Sequence, residues 1–114
     1  MNILADTNSL LEGLGVRVET GVFSDVAPEE YAVITPLADS FELFGDDLPG
    51  FETQEARLSL YSKGNYLALK SRITIALLAA GFTISDRWYL GHEDDTGYHH
   101  YAIDLVKLYP LSTD

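Results

Sequence analysis

The residues best suited to chemistry lie close together near the C-terminal end of the chain: His92, Glu93, Asp94, Asp95, His99 and His100. Their imidazole and carboxylate groups are the usual ligands of divalent transition metals. Successive side chains of a strand point to opposite faces, so neighbouring histidines on a strand cannot both join one site. A hairpin tip with Asp-Asp-Thr-Gly turn chemistry is the simpler interpretation of this stretch, and a metal site is the alternative. We therefore expect no metal and no other cofactor.

Motifs for catalysis are weak elsewhere in the sequence. Asp46-Asp47 and Glu29-Glu30 are carboxylate pairs, and paired carboxylates can do acid–base work. Both pairs lie in turn-like stretches, where exposed acids are ordinary. No Gly-rich phosphate loop, Gly-x-Ser-x-Gly elbow or His-Glu-x-x-His helix occurs. We expect a protein that is not an enzyme.

Aromatic residues of the second half of the chain could form a platform for stacking nucleic-acid bases. Such platforms come with a positive groove, whereas the chain has seven Lys and Arg against 18 Asp and Glu, a formal net charge of −11. A surface this negative repels phosphate backbones and anionic lipids. We expect most of the rings in the core and some at a subunit interface, where aromatic residues are enriched. The residues concerned are Tyr61, Tyr66, Trp88, Tyr89, Tyr98, Tyr101 and Tyr109.

Length and composition predict one domain over residues 1–114. The chain is 46% hydrophobic, which suffices for an ordinary core without metal or disulfide support. It has no cysteine, which excludes a disulfide framework, a thiolate nucleophile and a Cys-type metal site. The first residues lack the basic start and apolar run of a signal peptide. No apolar stretch approaches the roughly 20 residues of a membrane span.

A short helix is predicted near the start of the chain, at about residues 3–14. Its apolar residues recur at helical spacing, and Gly13 or Gly15 ends it. Candidate N-cap residues are Asp6, Thr7 and Asn8. Alternating valines after this helix predict a short extended segment that leads to about residue 25.

A second helix is predicted at about residues 66–80. Asn65 is suited to cap its start and Gly81 to end it. The alanines on one side, Ala76 and Ala80, predict a close approach of this helix to a sheet. The predicted core consists of its apolar row and two residues of the last strand: Leu69, Ile73, Leu77, Ile103 and Leu105.

Two hairpins are predicted around this second helix. The first joins a strand at 31–35, continuing towards residue 44, to an alternating strand at 51–61. Pro36 predicts a sheet edge or a bulge. The second hairpin joins residues 82–90 to 98–109. The predicted fold is therefore α+β: an antiparallel sheet of two hairpins plus one or two further strands, with two helices packed on one face.

This order of elements resembles the tail-terminator and tail-completion proteins of long-tailed bacteriophages and prophages. The likeness extends over most of the chain, as a pattern of element order and residue type without an invariant motif. Besides the first helix and an acidic hairpin, the segments that carry it are Gly21 to Asp25, Tyr31 to Thr35, Ala56 to Lys63, Leu69 to Ile73, Ala80 to Phe82 and His99 to Leu105.

The resemblance implies a structural role in the virion. Members of that family form a ring, usually of six copies, that caps the head-proximal end of the tail tube and joins it to the head connector. DNA passes through the ring, and a negative lumen would let it pass without being held. The resemblance thus implies self-assembly, tail-tube and connector proteins as partners, assembly in the host cytoplasm, and no catalytic residue.

Two acidic hairpin tips are the predicted interface or lumen segments, because loops displayed by rigid strands often carry binding residues. Solvated turns without a binding role are the alternative for both. A head-side joining protein or a tail-tip component would suit the same resemblance. The competing function is a monomeric protein-binding or regulatory module that presents its sheet edge or acidic loops to a partner. The tip residues singled out are Asp46, Asp47, Glu93, Asp94 and Asp95.

Overall fold

The computed structural model describes residues 2–20, 29–40 and 50–111. These residues form two helices and five strands, and the α+β prediction is confirmed. The end of the predicted extended segment (21–25), the end of the predicted first hairpin strand (41–44) and the tip with Asp46 and Asp47 lie outside the described residues. The elements in chain order are α1 (Ile3–Gly13), β1 (Arg17–Thr20), β2 (Glu30–Ser40), β3 (Phe51–Ser62), α2 (Tyr66–Ala79), β4 (Thr83–His92) and β5 (His99–Pro110).

The five strands form one sheet in the order β1-β2-β3-β5-β4. Both predicted hairpins are present, because β2 pairs with β3 and β4 pairs with β5, each antiparallel. The hairpins join through an antiparallel β3–β5 pair in the middle of the sheet. The pairing of β1 with β2 is parallel, so the sheet is mixed although mostly antiparallel.

Pro36 lies at an irregularity of β2, as predicted. The register with β3 shifts between Pro36 and Ala38. Proline has no N–H to donate to a ladder, and a bulge removes the need for that bond. The parallel partner β1 reaches only as far as Ile34.

Helix α1 begins earlier than the candidate N-cap residues suggested. The cap is Asn2, whose side-chain oxygen accepts a hydrogen bond from the Ala5 N–H at 2.8 Å. Asp6, Thr7 and Asn8 therefore lie inside the helix, and their prediction as caps was wrong. The side chain of Gln54 on β3 also accepts from the Ile3 N–H, at 2.8 Å, which ties the first turn of α1 to the sheet.

Helix α2 connects β3 to β4, with β5 between those two strands in the sheet. The side chain of Asn65 accepts from the Ala68 N–H at 3.1 Å and caps its start. Gly81 follows its end with a φ of +88°, a conformation that glycine adopts without strain. The helix thus begins and ends where the sequence predicts.

The core lies between the sheet and the two helices. All five predicted core residues are buried, and Leu11, Ile34 and Leu58 join them in one cluster. The alanine prediction was wrong in part: Ala76 is half-buried but Ala80 is exposed. Ala80 is the C-cap residue, beyond the last turn over the sheet, so it does not bring the helix closer. The helix rests on the sheet through its leucine and isoleucine row.

Candidate functional site

The acidic tip between β4 and β5 is a fixed turn. The Glu93 N–H donates to the Tyr98 carbonyl at 2.8 Å, and the Gly97 N–H donates to the Glu93 carbonyl at 2.7 Å. The Thr96 hydroxyl donates to the Glu93 carboxylate at 2.8 Å. Glu93, Asp94 and Asp95 are all exposed. We call the segment Glu93 to Asp95 the acidic tip; its three carboxylates are presented together by a hydrogen-bonded turn.

The three histidines near the tip divide between the two faces of the sheet. His92 lies beside His99, with ring centroids 4.7 Å apart, and its Nδ1 is 3.1 Å from an Asp94 carboxylate oxygen. The Tyr89 hydroxyl is 2.8 Å from His99 Nδ1. His100 stacks on Tyr61 instead. Among the described residues, no group of three or more His, Asp or Glu side chains is placed to hold a metal ion. The absence of a metal stays a prediction.

An aromatic cluster joins the start of α2 to the β4–β5 hairpin. The Tyr66 ring stacks on Tyr89 with centroids 5.0 Å apart and on His99 at 4.8 Å. Lys70 Nζ lies 5.3 Å from the centroid of the buried Tyr101 ring. These contacts hold the acidic tip at a fixed position relative to α2, because stacked rings pack with a defined geometry.

A row of rings crosses the sheet on the face opposite the helices, which we call the open face. Tyr31 stacks on Tyr61 at 4.8 Å, and Tyr61 stacks on His100 at 4.3 Å. Tyr98 packs edge-on against Tyr31 at 5.3 Å. The register places Tyr31 opposite Tyr61 and Tyr61 opposite His100, so pairing between strands aligns the row. We call these four residues the aromatic row.

Burial perturbs the titration of the aromatic row. Burial raises the pKa of Tyr31 and of Tyr61, and nearby negative charge adds to both shifts. Burial lowers the pKa of His100 below its usual 6.5, and the charge of Glu93 opposes this only partly. The Nε2 atom of His100 is buried and has no hydrogen-bond partner among the residues that the structure describes. The row therefore favours uncharged rings, as a packed apolar cluster does.

We expect the stability of the protein to fall as the pH drops below about 6.5, in part through His100. The unfolded chain takes up a proton near that pH, whereas the folded chain resists doing so because its His100 pKa is lowered. The His100→Phe variant keeps a ring beside Tyr61 but takes up no proton. Its thermal midpoint should therefore fall less than that of the wild type between about pH 7.5 and 5.5. An equal fall of the thermal midpoint with pH in the two proteins would contradict the contribution of His100.

The open face also carries an ion pair beneath a tryptophan. The Arg57 guanidinium contacts both carboxylate oxygens of Asp104, at 2.8 and 3.2 Å. Its central carbon lies 4.8 Å from the Trp88 ring centroid. Paired with a carboxylate, this guanidinium is not available to a phosphate. The open face thus has the rings of a base-stacking platform, but the charge of Arg57 is paired with Asp104 and does not provide the positive groove that such a platform needs.

The outward side of α2 is an apolar surface that the sequence reasoning missed. Leu67 is 53% exposed, Ile75 is 69% exposed and Leu78 is 56% exposed. They lie on the helix opposite or beside the buried row of Leu69, Ile73 and Leu77. The signal was present, since leucines and isoleucines occur all round the helix. We call Leu67, Ile75 and Leu78 the outer face of α2.

Helix α1 shows what an ordinary surface helix looks like in this protein. Its exposed residues are small or polar, among them Ala5, Ser9 and Glu12, and none is a large apolar side chain. A helix that is apolar on all sides is typically buried. The difference between α1 and α2 therefore marks the outer face of α2 as a surface suited to being covered by another molecule.

Comparison with known proteins adds no assignment. No protein-family model matches the sequence, and no protein of curated function does. In the part of the chain that the structure describes, neither helix has the length and apolarity required to cross a membrane.

Proposed function

We propose that this chain is a structural assembly protein that self-associates into a ring, and that it serves as a tail-terminator or tail-completion subunit of a bacteriophage virion. The observation that carries self-assembly is the outer face of α2. Three large apolar side chains on one helix, all more than half exposed, lose their contact with water when another subunit covers them. In this proposal the chain catalyses no reaction.

Charge favours a second copy as the molecule that covers this face. Helix α2 contains Lys70 and Arg72 but no Asp or Glu, in a chain of net charge −11. A positive, apolar surface on an otherwise strongly acidic protein attracts another copy of the same protein. When such a contact joins two different surfaces, repetition generates a ring if the rotation closes.

The tail role rests on the resemblance of the element order and on the acidity of the chain. The α+β architecture with two helices on one side of the sheet agrees with that resemblance. An acidic ring would let DNA move through its lumen without strong attachment. In the virion, the proposed neighbours are the tail tube and the head connector, at the head-proximal end of the tail.

Negative-stain microscopy of the purified wild type, with and without tail tubes, tests the ring. The expected result is round particles with a central hole that also bind to tube ends. A protein that stays monomeric, even with tail tubes present, would instead support the alternative of a monomeric protein-binding or regulatory module. Rings that never bind tail tubes would leave self-assembly standing and remove the tail role.

A further inference from the structure

The two basic residues of α2, Lys70 and Arg72, form no ion pair with any acidic residue of the described ranges 2–20, 29–40 and 50–111. Lys70 lies over the Tyr101 ring, and Arg72 is exposed one turn before Ile75. The outer face of α2 therefore lies beside an exposed guanidinium that no carboxylate of the described residues pairs with.

The acidic tip carries the opposite charge to α2. Glu93, Asp94 and Asp95 are exposed, and their one contact with a basic side chain among the described residues is that of an Asp94 carboxylate oxygen with His92 Nδ1, at 3.1 Å. Leu90, three residues before the tip, is 50% exposed at a bulge of the edge strand β4. The tip thus combines exposed apolar surface with carboxylates that no Lys or Arg of the described chain neutralises.

Within one molecule these two surfaces form no ion pair with each other. Stacking of Tyr66 on Tyr89 and His99 fixes the β4–β5 hairpin beside the first turn of α2. The charges of both surfaces are therefore available to pair between copies. We propose that the outer face of α2, with Arg72, binds the acidic tip and Leu90 of a second copy.

Charge also decides between this arrangement and a symmetric one. Packing α2 against α2 would place Arg72 of both copies at one contact, and packing tip against tip would bring together six carboxylates, three from each copy. Like charges at a contact oppose association. Pairing helix with tip satisfies both charges, and such a head-to-tail contact is the kind that builds rings. This inference rests on the proposed self-assembly and names the two surfaces that form it.

Two complementary charge reversals test the contact. The first variant is Arg72→Glu, and the second combines Glu93→Lys, Asp94→Lys and Asp95→Lys. Each changes exposed charges, and the tip variant loses the Thr96–Glu93 side-chain bond but keeps the two backbone hydrogen bonds of the turn, so each monomer should still fold. Alone, each variant should show an oligomer fraction at least about tenfold below that of the wild type, because like charges now meet at every contact.

Mixing the two variants in equal amounts should restore oligomers. Half of the contacts then pair an unaltered helix with an unaltered tip, and the other half pair a reversed helix with a reversed tip. Sedimentation velocity measures the oligomer fraction of the wild type, of each variant and of the mixture at the same total concentration. A matched control, Glu12→Lys on the outward side of α1, should assemble like the wild type.

The failures of the inference and of the proposed function are distinguishable. If the wild type and the tip variant both form the same oligomer, or if the mixture stays monomeric although the wild type assembles, the contact between helix and tip is wrong and self-assembly stands. If the wild type itself is a monomer at all concentrations, the proposed function fails and the contact fails with it.

Discussion

Replacing Ile73 by alanine should lower the free energy of unfolding by about 2–5 kcal/mol, the usual cost of removing a fully buried isoleucine side chain. Ile73 is 0% exposed and belongs to the core cluster between α2 and the sheet. Its truncation removes apolar contacts and leaves a cavity that rigid neighbours fill only in part. Urea unfolding followed by circular dichroism would measure the change.

The same helix supplies a matched control two residues away. Ile75 is 69% exposed, so Ile75→Ala should change the unfolding free energy of the monomer by no more than about 0.5 kcal/mol. Alanine also has the higher helix propensity, which offsets part of any loss. Both variants should be measured at concentrations where the chain is monomeric, because oligomers add to apparent stability. Equal effects of the two substitutions would contradict the assignment of α2's inner and outer sides.

Replacing Ile75 by glutamate should abolish assembly while leaving the monomer folded. Covering an isoleucine side chain is worth about 1.5–3 kcal/mol, and burying an unpaired carboxylate at the same place adds a further cost. The loss of apolar contact alone corresponds to roughly 10- to 150-fold in the association constant of each contact. In a ring, every subunit would carry that loss at the contact it makes through α2.

A second glutamate variant separates this effect from added charge. Leu111 is 48% exposed and directly follows the last residue of β5, so it is not part of α2. Leu111→Glu changes the net charge by the same amount and should assemble like the wild type. If Leu111→Glu disrupted assembly as strongly as Ile75→Glu, a general increase in repulsion would explain both results, and the outer face of α2 would lose its assigned role.

Local patterns in the sequence predicted the elements well, because each depends on residues close together in the chain. The alternation in β3, the row of Leu69, Ile73 and Leu77, and the stop at Gly81 all depend on neighbours within a few turns or pleats. The N-cap of α1 was missed because Asn2 lies outside the apolar pattern used to find the helix. The parallel β1–β2 pair was missed because strand order depends on contacts between distant segments.

The candidate surfaces were predicted less completely, for a physical reason. Periodicity predicted the buried row of α2 correctly, but it did not show that the leucines and isoleucines on the other side would stay exposed, because a helix that is apolar on all sides is typically buried. The exposure of Ile75, at 69%, is known only from the fold. The aromatic row likewise requires the register between β2, β3 and β5, which brings Tyr31, Tyr61 and His100 together. The acidic tip was recognised because turn chemistry is local.

Sedimentation equilibrium of the wild type and of Ile75→Glu, at the same concentration, tests self-assembly through α2 most directly. The chain has a mass of 12.6 kDa. The wild type should sediment as a defined oligomer, of about six copies in the proposed ring, and the variant should sediment at the monomer mass with an unchanged circular dichroism spectrum. Two proteins of equal mass, whether both monomeric or both assembled, would contradict the assignment of the outer face of α2 as the surface through which the chain assembles.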